Sequence, residues 1–484
     1  MNSLISFHKR LPWWLSGVSL FMIAQSLQMG QLYFGILSDK GWSGMWVMWC
    51  GGLVSFVVPL VFAPLWQKLQ LQTDNQFYLI RYPGFWGKFL HVFRIGYVGI
   101  LVSAFLVSFN LLAFSRIVAF FFAIPFNVAL FGSWLLMLMY ALFNLNEKRK
   151  KVNVIMLSFV MACVVIMIWK LLQVWPATRN SNLIWRDLFP GDQSGWMLFW
   201  TYIGVQWWSA LMFDGGGKET ARFVANATRL ETIKAAMIPV IGHAIVANVV
   251  LLLCWFLLQS NPQQNQNEWT FIPLLMQEMP MIFQWLILIG FGAMFLSVCA
   301  SQIQWGGSLV MIDGLETYKS QKFNAKILHR IEWLVVLALS LLSWFFAFYA
   351  NSLMQLTQIV FSISAGVAPF YIGRWFWWRI SAFSQWMVMM ISALITLFYS
   401  KLIIFFPIFH LKFLPMEESR LIVVTLISLF LGVMITLLFP SSHPHLDFIQ
   451  SLGSRKKLAS QLLLAIVLGV IFLMVQLAFL IGLV

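Results

Sequence analysis

Charged side chains are scarce in this sequence. Only 10% of the 484 residues are charged, 61% are hydrophobic, and the mean hydropathy is +0.84. Soluble globular domains carry about 25% charged residues, so this composition excludes a string of soluble domains. The sequence therefore predicts an all-α polytopic membrane protein.

Acidic residues, histidines and cysteines are also few. The 16 acidic residues and 7 histidines give little material for paired carboxylates or a metal centre, and one loop holds the nearest grouping, His443 and His445 with Asp447. The 4 cysteines lie singly in apolar segments without CxxC spacing, which argues against a disulfide framework and a zinc site. We predict no catalytic residue and no bound cofactor, while a polytopic membrane enzyme such as an acyl or glycosyl transferase remains an alternative.

The basic residues outnumber the acidic ones and give a net charge of +15. They lie in short loops between apolar segments instead of forming one continuous patch, so we expect no binding to nucleic acid. Most of them collect on one face if the N-terminus is cytoplasmic, as the positive-inside rule requires. The prediction is an integral protein of the cytoplasmic (inner) membrane with an external C-terminus.

About 20 apolar residues are needed for each membrane crossing. On that length we count thirteen segments, centred near residues 24, 54, 107, 136, 163, 204, 246, 294, 339, 365, 395, 430 and 470. The first is too long for the apolar core of a signal peptide and is expected to remain as a spanning helix.

The sixth segment is interrupted. Two tryptophans in its middle are followed by Gly215, Gly216 and Gly217, which remove side-chain support for a helix. A helix broken at hydrocarbon depth is tolerated where protein or a water-filled cavity satisfies its backbone, so such breaks mark substrate or ion sites. The alternative is that the glycines end the helix at the cytoplasmic face.

The first segment has a similar interruption at Gln25, Gln28 and Gly30. Matching breaks in the first and sixth segments favour an inverted repeat, in which segments one to five and six to ten run in opposite topology. We predict that both helices are discontinuous and face each other across a central cavity.

Five stretches, in chain order, resemble the sodium:solute symporter family, especially a bacterial branch: LPWWLSGVSL at 11–20, TDNQFYLIRYPG at 73–84, YIGVQWW at 202–208, QWGGSLVMIDGLETY at 304–318 and GRWFWWRIS at 373–381. The resemblance implies a LeuT-type five-plus-five inverted repeat in residues 1–380 as the transport core. Residues 381–484 would then form three peripheral C-terminal helices. It also implies a secondary active transporter that moves a small organic solute by alternating access, with sodium as the coupling ion.

By the same resemblance, the sodium ligands would be the carbonyl oxygens of Met22, Gln25 and Met294 and the hydroxyl of Ser297. Oxygen ligands suit a hard cation. The chain departs from the family at Val298, where relatives present a second hydroxyl, and at Asn153, where many carry an aspartate. We therefore expect weak sodium dependence, with proton-driven or uncoupled transport as the alternative.

For the solute, the candidates are Gln28, Gln206 and Trp207, which project from the two interrupted segments and could instead serve packing. Two further interpretations concern charge: Asp214 pairs with Lys218 across the break, and the run Arg374–Arg379 anchors the chain at anionic lipid. Arg116 and His243 are the ionisable residues deepest in apolar runs, and either has a function or, for Arg116, reaches towards the external face.

The expected partners are a small-molecule solute and membrane lipids, and the sequence leaves the oligomeric state open. Besides the membrane enzyme, a transporter-like sensor that binds solute without moving it is an alternative. Amides, indoles and apolar groups in the expected cavity are compatible with a neutral, zwitterionic or anionic solute.

Overall fold

The computed structural model describes residues 10–25, 27–143, 149–174, 185–209, 214–261, 266–317, 324–409, 411, 414–441 and 455–483. Helices dominate these residues, and the prediction of an all-α polytopic membrane protein is confirmed. The predicted His443, His445 and Asp447 grouping lies outside the described residues, as does the side chain of Asn153.

The described residues form seventeen helices, labelled in chain order: α1 (Trp13–Ala24), α2 (Met29–Gly44), α3 (Trp46–Leu69), α4 (Gln76–Arg81), α5 (Phe85–Phe121), α6 (Phe126–Phe143), α7 (Arg149–Val174), α8 (Gln193–Gly204), α9 (Thr220–Val224), α10 (Arg229–Ser260), α11 (Phe271–Met276), α12 (Met281–Leu315), α13 (Ala325–Tyr349), α14 (Leu353–Gly373), α15 (Ala382–Phe405), α16 (Met416–Leu438) and α17 (Arg455–Leu483). Short 3₁₀ turns join several of them.

Among the described residues, eleven helices are long and apolar enough to cross a membrane, and the bent pair α1 and α2 makes a twelfth. Twelve of the thirteen predicted segments are accounted for in this way. The remaining segment, centred near residue 204, falls on α8, which has only 12 residues. That length at 1.5 Å per residue is too short to span a bilayer alone.

The first predicted segment is discontinuous. Helix α1 ends at Ala24 because Gln25 turns extended, with φ −65° and ψ 135°, and α2 begins at Met29. The axes of the two helices differ by 48°. Such a bend leaves the last carbonyl groups of α1 without intrahelical partners.

In the sixth segment, α8 ends at Gly204 and a 3₁₀ turn follows at Gln206–Trp208. After residues 210–213, which lie outside the described part, Gly215 and Gly217 adopt φ values of +70° and +88°. Those left-handed conformations suit glycine, and the chain resumes as the short helix α9. Both interrupted segments thus leave irregular backbone inside the helical assembly.

Close helix packing surrounds the first break. Helix α1 packs along α10, where a Cβ at Gly242 would overlap the ring of Phe21. Helix α12 packs on α5 and α7, and a Cβ at Gly290 would lie 2.6 Å from the Cβ of Cys163. Small residues allow this close approach within membranes, so α1 is held between α10 and α12.

The C-terminal helices pack against the rest of the chain. Helices α14, α15 and α16 meet at Gly366, where a Cβ would lie 2.6 Å and 2.7 Å from the hydroxyls of Ser392 and Ser428. Helix α17 packs on α3, with Gly469 directly over the backbone carbonyl of Leu53. The division into a core of residues 1–380 and peripheral helices in 381–484 remains a prediction.

Candidate functional site

Three glutamines lie at the break between α1 and α2. Gln25 and Gln31 are each 1% exposed, and neither side-chain amide has a hydrogen-bond partner among the described residues; the same holds for Oε1 of Gln28. More than about 90% of buried polar groups in proteins are hydrogen-bonded. Unpartnered amides at an interrupted membrane helix are therefore groups available to a solute, an ion or water.

Gln31 was not among the residues predicted from the sequence. Its signal was present, because Gln25, Gln28 and Gln31 repeat at a spacing of three in an otherwise apolar run. The helix that begins at Met29 keeps Gln28 and Gln31 one turn apart at its N-terminus.

A cavity lies further along α2. It has a volume of about 450 Å³ and starts at Leu32, the residue after Gln31. Its polar lining comes from α2, from the loop before α11 and from the start of α14: Ser38, Asp39, Lys40, Gln266, Asn267, Glu268, Asn351, Ser352 and Gln358. This space is large enough for a small organic molecule.

Hydrogen bonds of Glu268 and an ion pair of Lys40 stabilise the wall of this cavity. The carboxylate of Glu268 accepts hydrogen bonds from the backbone N–H groups of Leu353 and Met354, at 2.9 Å and 3.3 Å, and so caps α14. Lys40 Nζ lies 3.2 Å from Oε1 of Glu418, which also accepts a 2.7 Å bond from the hydroxyl of Tyr202. Glu418 of α16 therefore connects Lys40 of α2 with Tyr202 of α8.

Buried ion pairs lie at the opposite end of the helices. Arg94 Nη2 lies 2.9 Å from Oδ2 of Asp74, and its Nε and Nη1 donate to Asn75 and to the hydroxyl of Tyr371, at 3.0 Å and 2.8 Å. The indole of Trp305 donates to Oδ1 of Asp74 at 2.9 Å. This pair joins α5 to α12 and α14 through groups that are fully buried.

A second pair joins the sixth segment to the end of α14. Arg374 contacts Oδ2 of Asp214 through Nη2, and also through Nε at 3.2 Å. The indole of Trp375 donates to the same oxygen at 2.7 Å, while that of Trp66 donates to the Asp214 carbonyl at 2.7 Å. The Arg374 guanidinium also donates to the hydroxyl of Tyr78.

Two interpretations of the sequence are corrected by these contacts. Asp214 pairs with Arg374 and not with Lys218, because the turn at Gly215 to Gly217 directs the lysine towards α1. Arg374 is 1% exposed and is not a lipid anchor, since its guanidinium is held between Asp214 and aromatic rings. Arg379, by contrast, is exposed and stacks on Trp378 at 5.4 Å.

A third carboxylate extends the network. The hydroxyl of Thr73 donates to Asp313 at 2.8 Å, and His91 Nε2 lies 3.4 Å from the same carboxylate. All three residues are buried. Thr73, Asp74 and Asn75 thus tie the loop before α4 to both α5 and α12.

The cavity and the network lie at opposite ends of α14. Met354 lines the cavity, whereas Tyr371 and Arg374 belong to the network. At 1.5 Å per residue these ends are about 30 Å apart, which is about the thickness of the hydrocarbon core of a bilayer. A cavity therefore lies at one end of α14, and buried ion pairs lie at the other.

Lys218 and Arg222 connect the two interrupted segments. Nζ of Lys218 donates to the carbonyl of Ile23 at 2.9 Å, in the last turn of α1. Arg222 donates through Nε to Ser19 of α1 at 2.8 Å and through Nη2 to Ser301 of α12 at 2.9 Å. Neither basic residue was predicted to contact α1.

The structure places the candidate sodium ligands on neighbouring helices. Met22 and Gln25 lie at the end of α1, Met294 and Ser297 lie on α12, and α1 packs against α12. All four are buried, and Val298 of α12 is buried as well. The carbonyls and the hydroxyl that the resemblance assigns are four oxygens, fewer than the six or more that hard cations take.

The remaining candidates lie at the two breaks. Gln206 is buried in the 3₁₀ turn, and Trp207 is half-buried with its ring 5.0 Å from that of Trp208. Gly30 lies within α2, not in the gap before it, and a Cβ there would overlap the ring of Phe271. The glycine thus permits close packing of α11.

Arg116 and His243 take no part in the buried ion pairs described above. The guanidinium of Arg116 lies over the rings of Phe126 and Trp269, at 4.2 Å and 4.9 Å. Nδ1 of His243 is buried without a hydrogen-bond partner. Among the described residues no group of histidine, cysteine and acidic side chains could hold a metal ion.

Comparison with solved structures finds the same fold in a Na⁺-coupled sialic acid symporter, solved in a substrate-bound, outward-open state. The TM-score is 0.66 at 16% identity, over 90% of this chain and 91% of that one. A manganese transporter of Eremococcus coleocola covers 98% of this chain, but its TM-score of 0.49 is too low to carry an argument. No family model matches the chain, and no curated protein matches it. The likeness therefore shows the fold alone.

Proposed function

We propose that this protein is a secondary active transporter that moves a small organic solute by alternating access. The observation that carries the proposal is the interrupted α1–α2 helix, where the amides of Gln25 and Gln31 and Oε1 of Gln28 have no partner among the described residues, while the same helix lines a cavity of about 450 Å³ from Leu32 onwards. Interrupted helices supply transporters with polar groups at the middle of the membrane.

The asymmetry of the two ends supports this proposal. A carrier must close one side of its site while the other is open, and here buried ion pairs lie at the end opposite to the cavity. In the orientation that we propose from the positive-inside rule, the end with the ion pairs faces the cytoplasm, in a protein of the inner membrane with its N-terminus inside. The cavity then opens to the outside, as in the outward-open sialic acid symporter.

Membership of the sodium:solute symporter family is part of the proposal. Breaks in the first and sixth segments are the expected openings of two inverted five-helix repeats within residues 1–380. Residues 381–484 would then surround that core. Sodium is the coupling ion that such membership implies, although Val298 and the short set of oxygen ligands weaken it.

Gln28 and Trp207 are proposed to contribute to solute binding, because each stands at one of the two breaks. The amides offer donors and acceptors to a polar solute, and the indole offers an apolar face. Gln206, in the same 3₁₀ turn, is the third proposed contact.

The experiment is a two-step measurement on the purified, reconstituted protein. A panel of sialic acid, sugars, amino acids and small carboxylates is first screened for solutes that raise the unfolding temperature. Uptake of the radiolabelled solute is then measured in proteoliposomes, for the parent and for Gln28→Ala and Trp207→Ala. We expect saturable uptake by the parent and weaker uptake by both folded variants.

Two results would contradict the proposal. Binding without any uptake would identify a sensor, and chemical conversion of the solute would identify a membrane enzyme. If uptake occurs and both variants match the parent, the solute cavity lies elsewhere, and Trp207 serves packing.

A further inference from the structure

Two basic side chains lie between α1 and α12, the helices to which the family resemblance assigns the sodium ligands. Lys218 donates its ammonium N–H to the carbonyl of Ile23 at 2.9 Å. Arg222, one turn further along the chain, bridges Ser19 and Ser301 at 2.8 Å and 2.9 Å. Both residues are half-buried, and their charged groups contact helices α1 and α12.

Two of their partners, Ile23 and Ser301, are close in sequence to candidate sodium ligands. Ile23 stands between Met22 and Gln25 in the chain, at the end of α1 where the last carbonyls have no intrahelical partner. Ser301 follows Ser297 by four residues on α12, so the two hydroxyls share one face of the helix. Lys218 and Arg222 therefore contact the parts of α1 and α12 that would surround a bound sodium ion.

We propose that the ammonium group of Lys218 is a built-in cation of this transporter. It takes the place of the coupling sodium ion at the carbonyl end of α1, so that sodium neither binds there nor drives transport. This inference rests on the proposed transport function.

The charges around Lys218 support this assignment. Glu219 and Arg222 interact electrostatically with it, and the Cys299 thiol faces it from α12. Asp74 lines the same space of about 20 Å³ but is paired with Arg94. Taken with Glu219, the two basic groups leave a net charge of +1, which equals that of one sodium ion.

A lysine near a helix C-terminus can also be a simple cap for orphan carbonyls. The two roles differ in their consequence for sodium. A resident ammonium repels a second cation strongly at low dielectric, so removing its charge frees a sodium site, whereas removing a simple cap creates none. Sodium binding therefore separates the two roles.

The experiment measures binding of radioactive sodium, and the unfolding temperature in sodium chloride against N-methyl-D-glucamine chloride, on the full protein in lipid nanodiscs. Variants are Lys218→Met, which keeps the apolar stem, and Lys218→Arg, which keeps the charge. Lys88→Met, on an exposed face of α5, is the matched control. We expect no saturable sodium binding by the parent, Lys218→Arg or Lys88→Met. Lys218→Met should bind sodium saturably, with an affinity about tenfold or more above any residual binding by the parent.

Saturable sodium binding by the parent would overturn the proposal, and so would a folded Lys218→Met that still ignores sodium. If Lys218→Met does not fold, the sodium binding of the parent and of Lys218→Arg tests the proposal. Saturable sodium binding by either protein would contradict a resident cation at Lys218. None of these results depends on finding the solute. Failure of the transport proposal would appear as absent uptake, which is measured separately.

Discussion

Asp214 and Arg374 form an ion pair across 160 residues of sequence, with side chains that are 0% and 1% exposed. The pair joins the residue at the break in the sixth segment to the end of the tenth. Because α14 runs from this pair to the cavity, it connects the end that holds the ion pairs with the cavity wall.

The first prediction concerns this pair. Arg374→Met leaves the Asp214 carboxylate buried without its cation, which costs about 3 to 5 kcal/mol of unfolding free energy. We expect a clear fall in the thermal unfolding temperature in detergent. The matched control is Arg379→Met, which removes an exposed arginine five residues along the chain and should have little effect.

Asp214→Asn combined with Arg374→Met should recover part of that loss, because no buried charge is then left alone. If Arg374→Met and Arg379→Met are equally stable, the guanidinium of Arg374 is not held by Asp214 in the membrane.

The second prediction concerns Gln31. Its buried amide has no hydrogen-bond partner, and an unsatisfied buried polar group costs about 1 to 3 kcal/mol. Gln31→Met should therefore raise the unfolding temperature and at the same time weaken solute binding, since stability is often lost where function requires a polar group. The control Gln355→Met lies at an exposed position of α14 and should change neither.

A Gln31→Met variant that binds solute like the parent would remove Gln31 from the site. A loss of stability in Gln31→Met would show instead that the Gln31 amide is hydrogen-bonded within the protein.

The third prediction concerns Val298. A hydroxyl at this position adds one oxygen to the candidate sodium site, worth about 1 to 3 kcal/mol, or roughly ten- to hundredfold in affinity. While Lys218 remains, Val298→Ser should produce no sodium response. In the Lys218→Met background it should tighten binding of radioactive sodium, and tight sodium dependence of the parent, unchanged by Val298→Ser, would place the ion at another site.

The fourth prediction concerns the docking of α17. A Cβ at Gly469 would overlap the backbone carbonyl of Leu53, which cannot move aside as a flexible side chain would. We expect Gly469→Ala to lower the free energy of unfolding by about 1 to 3 kcal/mol through overpacking. Gly132→Ala in α6 meets open space and is the control; equal stability of the two variants would mean that α17 is loosely attached.

The helices could largely be predicted from the sequence, because an apolar run of about 20 residues is a local property. The break at Gln25 and Gln28 was also visible, since polar residues interrupt an apolar run there. The shortness of α8 was not visible. Its 12 residues continue into Gln206, Trp207 and Trp208, residue types that the helix itself contains, but these three form a 3₁₀ turn.

The buried pairs could not be predicted, because Asp214 and Arg374 are far apart in sequence and only the fold brings them together. The run Arg374–Arg379 was misread since arginines among tryptophans are typical of the membrane interface. Arg379 fits that pattern and Arg374 does not. The contact of Lys218 with Ile23 likewise depends on the turn at Gly217, whose direction the sequence does not specify.

The central claim is that one solute site is exposed to each side of the membrane in turn. It is tested most directly by counterflow, in which proteoliposomes loaded with unlabelled solute are diluted into a trace of labelled solute. A carrier with alternating access predicts a transient accumulation of label above equilibrium, which an excess of unlabelled solute outside abolishes. Label that only equilibrates, or never enters although the solute binds, would contradict the account.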